Sequence, residues 1–367
     1  MHRQIRALLD AGHEITYVAP FTDCNVTPDP GIRAIDVPRA TANRRRRALK
    51  AARGALKRGV EGADLLVVHD RELLFRLPRR RPVTVLDVRE DIGDGWGGWG
   101  ATAALGVGLT LPGHLSRALP ALARRIGAPA KHRLHLILAE DSYRERFSGP
   151  HQVVPDTAYV SPRPPAPPGR NRVVHVGHLS KAGGVGELIE SARRLLPHGI
   201  RLDLIGSADV RVRPLLRDAQ REGLLDWYGY VPNRHALRMA EGAIAGLSLP
   251  HDAPGTRPVP AKIIDYMSRG VPVVSTPLPA AASMVERVGC GVVVPFGDAE
   301  ATVRAVLALR DDPEGAAEMG ARGHAEALAR HNWPDHAGAF VGRLEEWAGK
   351  PVTSGQEIGV LEAWHAI

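Results

Sequence analysis

Residues 173–184 read Val-Val-His-Val-Gly-His-Leu-Ser-Lys-Ala-Gly-Gly. An apolar run, Val173 to Val176, stops at Gly177, and beyond the glycine-bearing loop a helical pattern runs from Val185 to Leu196. A short apolar run closed by glycine and followed by a helix is the strand–turn–helix unit of a parallel sheet. The unit repeats downstream. Leu202 to Ile205 ends at Gly206 and precedes a helix from Val210 to Glu222, and Trp227 to Val231 precedes one from Asn233 to Glu241. Ile244 to Leu249 precedes a helix from Ala261 to Arg269, Pro272 to Ser275 a short helix toward Arg287, and Gly291 to Val294 closes the series. Such alternation predicts an α/β fold with a doubly wound parallel sheet and right-handed crossovers. Ligands of these sheets sit at the carboxyl ends of the strands, so the chemistry belongs in the loops after Gly177, Gly206, Val231 and Leu249.

Outward from this block the pattern loosens. His2 to Ala11 reads as a helix, Glu14 to Ala19 as a strand, and Leu65 to Val68, Val83 to Leu86 and Leu134 to Leu138 as further strands. Ser161 to Gly169 carries too many prolines for a helix or an inner strand and reads as an extended, semi-rigid linker. The expected organisation is an N-terminal domain over residues 1–160, a linker over 161–170 and a second domain over 171–331. A C-terminal helix and tail over 332–367 is expected to return to the first domain. The glycine-rich stretch Gly93 to Gly100, with Trp96 and Trp99, reads as a loop able to stack on a sugar or to cover a cleft.

A chain of 367 residues is long enough for two cores. With 44% hydrophobic and 24% charged residues it is globular rather than disordered. Its two cysteines, Cys24 and Cys290, exclude a disulfide framework or a cysteine-built zinc cluster and point to a reducing cytoplasm. No apolar run reaches the roughly 18–20 residues of a membrane span. The formal charge of +8 is spread along the chain except at residues 44–58, where Arg44 to Arg47, Lys50, Arg53, Lys57 and Arg58 alternate with Leu49, Ala52 and Leu56. Such a basic amphipathic helix has two readings: peripheral contact with anionic lipid at the inner membrane face, or a surface helix packing its apolar stripe on a sheet. We read the second. Nucleic acid is not an expected partner, because no known module is recognisable and aromatic content is only 5%.

The loop His178 to Gly184 offers backbone approach, the start of a helix and the side chains of His178 and Lys181, which together suit a diphosphate. It is not a Walker loop, nor does it match G-x-G-x-x-G. In Pro260-Ala-Lys-Ile-Ile-Asp-Tyr-Met-Ser-Arg-Gly-Val-Pro-Val-Val274 a helix begins after prolines, with Lys262 one turn before Asp265. Asp265 can take ribose hydroxyls, as acids of nucleotide folds do. The bland alternative is a surface Lys262–Asp265 ion pair worth under about 1 kcal/mol.

VVHVGHLSKAGGVGELIESARRL, LDLIGS, WYGYVPNRHALRMAEGAIAGLSL, PAKIIDYMSRGVPVVST and GCGVVVPFGD together resemble the family-four glycosyltransferases of GT-B fold. In the first half DAGHEITYVAP, ADLLVVHD and VTVLDVRED are similar to the acceptor-domain strands of that family. The resemblance implies two Rossmann-like domains facing a cleft. It implies a nucleotide-diphosphate sugar as donor in the second domain, a hydroxyl acceptor in the first, retention of configuration, no separate cofactor and no metal; the sequence holds no Asp-X-Asp pair to clamp one. By this resemblance Asp265 meets the ribose, Tyr230 and Val231 hold the base, and Gly177 precedes the diphosphate loop. His69 and Asp70 match the pair facing the cleft, with Asp70 as a helix cap the alternative.

Departures are plain. His178 stands for the usual arginine, Gly183 for the usual lysine, Arg257 for the first acid of the pair that ends at Asp265, and Arg89 for a histidine in Asp87-Val-Arg89-Glu90. Ser283 stands for a usual glutamate, with Glu286 nearby. The expected first strand is missing, since the chain opens inside a helix; truncation upstream, or replacement by the tail from Val352 to Ile367, would account for it. The charge on a leaving diphosphate is then expected to be met by Lys181, Arg257, His178 and the helix start near Lys262, and the acceptor hydroxyl by His69 or Glu90. The alternatives are a sugar-nucleotide epimerase, or a degenerate GT-B protein that binds the nucleotide sugar without turnover.

Overall fold

The computed structural model describes residues 2–24, 26–40, 44–88, 134–139, 144, 151–155, 157–251 and 259–349. The chain forms two compact units, residues 1–155 with 334–367, and residues 156–333. The proline-rich run is carried by the second unit rather than spanning free between two: the Gly169 N–H donates to Gly242 O (2.8 Å), and a Cβ on Gly270 would come within 2.3 Å of Pro165.

In the second unit β7 (Arg172–Val176), β8 (Arg201–Ile205), β9 (Leu225–Gly229), β10 (Gly246–Ser248), β11 (Val273–Ser275) and β12 (Gly291–Val293) make one parallel sheet. The order is β12-β11-β10-β7-β8-β9. Chain order therefore reverses between β7 and β10, the switch point at which a doubly wound sheet opens a crevice. Helices α4 (Val185–Leu195), α5 (Arg213–Arg221), α6 (Asn233–Ala240), α7 (Ala261–Met267), α8 (Pro279–Val288), α9 (Ala299–Asp311) and α10 (Pro313–Arg330) accompany it. Alternation along β7 feeds two cores: Val173 joins Leu188, Leu204 and Leu247, while Val174 and Val176 join Ile205, Ile263 and Tyr266. The α5 helix starts at Arg213, with Pro214 in its first turn, and Val210 lies in the preceding loop, 76% exposed.

In the first unit α1 (His2–Asp10) leads to β1 (Ile15–Ala19), and α2 (Phe21–Cys24) to β2 (Ile32–Asp36). The strand β2 escapes an apolar-run criterion because only Ile32 and Ile35 are half-buried. After α3 (Arg45–Gly59) come β3 (Leu65–Val68), β4 (Val83–Val88), β5 (Leu134–Leu138) and β6 (Gln152–Val153). The pair β1-β2 and the sheet β3-β4-β5-β6 are both parallel but are not joined to each other. In Rossmann order one strand would lie between β1 and β3, and among the described residues none does. A shared core nevertheless links the two sheets, with Val18 of β1, Leu66 and Val68 of β3 and Ala52, Ala55 and Leu56 of α3 in a single cluster. The apolar stripe of α3 is thus spent in packing, leaving Arg46, Arg47, Lys50, Arg53, Lys57 and Arg58 exposed.

The closing helix α11 (Trp333–Ala348) packs on the first unit: Glu345 Oε1 lies 3.0 Å from His13 Nε2, and Trp347 stacks on His135 with ring centroids 4.4 Å apart. Glu90, Arg89, Arg257, Trp96, Trp99 and the tail from Val352 lie outside the described residues. Among the described residues no helix is long and apolar enough to cross a membrane.

Candidate functional site

The ladder between β7 and β10 stops at Val174–Gly246, and a side chain is the reason. In a regular parallel ladder the Val176 N–H would next donate to Leu247 O. Instead it donates to the Tyr266 hydroxyl (2.9 Å), which itself donates to Leu247 O (3.1 Å). Tyr266 of α7 is a wedge that splays the strands at their carboxyl ends while leaving both backbone groups satisfied. Burial pushes its phenol far above the ordinary range, so it stays neutral. The ring fits only because position 246 is glycine: a Cβ there would lie 2.4 Å from it.

His175 and Lys262 meet in this opening. The His175 ring is fully buried, with Nδ1 3.0 Å from Leu247 O and Nε2 3.2 Å from Lys262 Nζ. Burial first, then the Lys262 charge, hold its pKa well below the usual histidine range, so the ring is neutral. Nδ1–H then donates to Leu247 O, and the Nε2 lone pair accepts from the ammonium. Burial lowers Lys262 to about 8, opposed by Asp265. A lysine whose folded pKa lies below its unfolded value costs stability at neutral pH, and the cost disappears as pH rises from about 8 toward the unfolded value.

Lys262 Nζ lies beside Gly177, 3.5 Å from where a Cβ would stand. The loop beyond is built against the end of β10. Gly184, in the left-handed region at φ 81°, has no room for a side chain, since a Cβ would be 1.8 Å from Leu249 O, and the His251 N–H donates to Ala182 O (2.9 Å). At position 183, where the resemblance has lysine, the Gly183 N–H donates to Ser180 Oγ (3.0 Å). The lysine of this loop is Lys181, which is exposed. His178 is turned to the next loop instead: Nε2–H donates to Asp209 Oδ1 (2.9 Å) and Nδ1 pairs with Ser207 Oγ (3.0 Å). Asp265 is half-buried one turn along α7 from Lys262. Tyr230 and Val231 follow β9 at the sheet edge, Tyr230 exposed and Val231 packed on the core. With only seven residues, α7 is a weak dipole, so the charge it offers is that of Lys262 itself.

In the first unit a polar cluster gathers at the ends of β3 and β4. Asp87, buried, accepts from Gln4 Nε2 on α1 (2.9 Å), and His69 Nδ1 lies 3.2 Å from the same oxygen. Asp87, on the neighbouring strand, is thus a partner of His69. Asp70 is buried at the start of the 3₁₀ turn Arg71–Arg76. Sequence reasoning passed over His175, Tyr266, Gln4 and the pairing of Asp87. The signal for His175 was present, a polar residue inside an otherwise apolar strand.

Residues 170–312 match the family described as glycosyl transferases group 1. This group 1 segment contains His175, Gly177, Lys262, Tyr266 and Asp265; His69 and Asp87 lie outside it. The putative colanic acid biosynthesis glycosyltransferase WcaL of Escherichia coli K12 is 29% identical over 161 residues, 42% of this chain and 40% of that protein. WcaL of Salmonella typhimurium is 28% identical over 135 residues, 35% of this chain and 33% of its own. The chain thus matches less than half the length of these curated relatives. Among solved structures, sucrose-phosphate synthase of Thermosynechococcus elongatus has a TM-score of 0.66 at 17% identity, covering 94% of this chain and 91% of its own. Alr3699/HepE of Anabaena, solved with UDP, has a TM-score of 0.60 at 13% identity, covering 91% and 100%. These likenesses are of fold: the chain has the α/β GT-B architecture, with Rossmann-like parallel sheets.

Proposed function

We propose that the protein is a glycosyltransferase that moves a sugar from a nucleotide-diphosphate sugar to a hydroxyl acceptor, with retention and without a metal ion. The observation that carries this reading is the Lys262 ammonium held beside Gly177 at the switch point of the group 1 segment. A fixed cation in a partly water-excluded site answers the charge that grows on a departing diphosphate, usually the largest catalytic contribution in such chemistry. Lys181 in the adjoining loop adds a second cation; in this reading, as the resemblance implies, Asp265 takes the ribose hydroxyls and backbone at Tyr230 and Val231 takes the base. His69, oriented by Asp87, is the acceptor-side group. In this reading Arg257, which departs from the acid of the family pattern, is a further cation for the leaving diphosphate, and Glu90 is the alternative to His69 for the acceptor hydroxyl. Retention rests on the family-four resemblance, and metal independence on the cation set together with the lack of an Asp-X-Asp pair. UDP is the first nucleotide to test, because it is bound in HepE. The exposed cations of α3 are the part of the first unit suited to anionic lipid, by charge alone.

The test is the full chain offered UDP-, GDP- and TDP-sugars, with nucleoside diphosphate release and the anomeric configuration of the product followed by NMR, with and without a chelator. Asp265→Asn is expected to weaken donor binding by about 1.5–3 kcal/mol, roughly ten- to a hundredfold. An epimerised donor, or binding without release of any nucleoside diphosphate, would replace this reading with the epimerase or the binding protein. The comparisons favour neither.

A further inference from the structure

We propose that His175 is a positioning residue for the donor site: its neutral Nε2 accepts from Lys262 Nζ and holds the ammonium at the mouth of the β7/β10 opening, against the diphosphate loop. The inference rests on the proposed donor reading and adds a residue to it. A long lysine stem has many rotamers, and an unpartnered ammonium here would swing toward water. His175 prevents this from a fixed base. Its ring is buried, its Nδ1–H is tied to Leu247 O, and that carbonyl also receives the Tyr266 hydroxyl. The tautomer is thereby set, and the free lone pair of Nε2 can only accept. The wedge, the imidazole and the ammonium form one hydrogen-bonded chain from the opened ladder to the face of Gly177.

A second consequence concerns protonation. Among the described residues, Asp265 on α7 and His175 on β7 act on Lys262 directly, while His178 in the loop after β7 acts on His175, and Tyr266 of α7 completes the cluster. His175 is neutral, Tyr266 is neutral, and the His178 ring is engaged by Asp209. Nearby opposition to the burial of Lys262 therefore comes from Asp265 and from the lone pair of His175. An empty site with its lysine near 8 binds a diphosphate best when the amine is protonated. Affinity should hold below about pH 8 and fall above it, with proton uptake on binding near that pH.

The experiment is calorimetric titration of UDP, GDP and TDP into the full chain from pH 6 to 9.5, in buffers of different ionisation enthalpy, with the melting temperature of every variant recorded. Lys262→Met should weaken nucleotide binding at neutral pH and abolish the alkaline fall. His175→Leu should weaken it about tenfold at pH 7 and move the alkaline fall down by about one pH unit. His175→Gln, whose Oε1 can accept from Nζ while its amide donates to Leu247 O, should restore both to near the parent. A merely structural histidine would lower the melting temperature of His175→Leu and leave the pH at which affinity falls unchanged, which would overturn the inference. If His175→Leu does not fold, His175→Asn replaces it, its amide being too short to serve Nζ. Unchanged binding by Lys262→Met, or no binding of the three nucleotides by the parent, would overturn the donor reading itself. Loss in Lys262→Met with no change in His175→Leu or His175→Asn would overturn the role of His175 alone.

Discussion

The two units place polar chemistry at strand ends by different means. In the second, a continuous sheet is pried open at its switch point by Tyr266, and the Val176 N–H and Leu247 O that the wedge separates are both recovered by side chains. In the first, the sheet is already divided between β1 and β3, and the polar cluster Gln4–Asp87–His69 lies at the strand ends of the larger part. The second site is therefore an exception built into backbone geometry, which only glycine at 246 allows. The first is a side-chain cluster around one buried carboxylate. The site of the second unit should be intolerant of small steric change, and the site of the first unit sensitive to charge.

Gly246→Ala should show the larger effect. Its Cβ would meet the Tyr266 ring at 2.4 Å, with buried neighbours on all sides. Overpacking of this kind costs about 3 kcal/mol, and nucleotide affinity should fall with the melting temperature. A melting temperature equal to that of the parent would mean that the opening does not depend on the wedge, and the contrast between the units would fail. Asp87→Asn should have an intermediate effect. It keeps the shape but weakens the acceptor for both His69 Nδ1 and Gln4 Nε2, so a stability loss of about 1–2 kcal/mol is expected. Turnover should fall at least about tenfold with nucleotide affinity unchanged by calorimetry. Equal losses in affinity and turnover would show that the carboxylate serves the donor as well. Smallest is the effect of Arg46→Gln with Arg47→Gln and Lys50→Gln on binding to vesicles rich in phosphatidylglycerol. Each cation near an anionic surface is worth about 1 kcal/mol and is screened by salt. The triple variant should weaken vesicle binding at low salt and leave the melting temperature unaltered; vesicle binding indifferent to salt would remove the charge-only reading of α3.

Much of the second unit was legible because a buried parallel strand needs a nearly unbroken apolar run, and β7 and β8 carry one that ends in glycine. The same rule failed on β2, where exposed and half-buried positions mix, and it overran β10, read as Ile244 to Leu249 but a strand only over Gly246–Ser248. The sequence by itself determined the alternation of strands and helices, the loop at Gly177 and the helix that brings Lys262 and Asp265 together, since each depends on neighbours within a few residues. Only the tertiary structure decided which polar groups meet: His175 with Lys262 across 87 positions, Gln4 with Asp87 across 83, and His178 with Asp209 across 31. Those pairings follow from which strands lie side by side and where a ladder is forced apart. No local pattern carries that information, because the partners come near each other only once the sheet has formed.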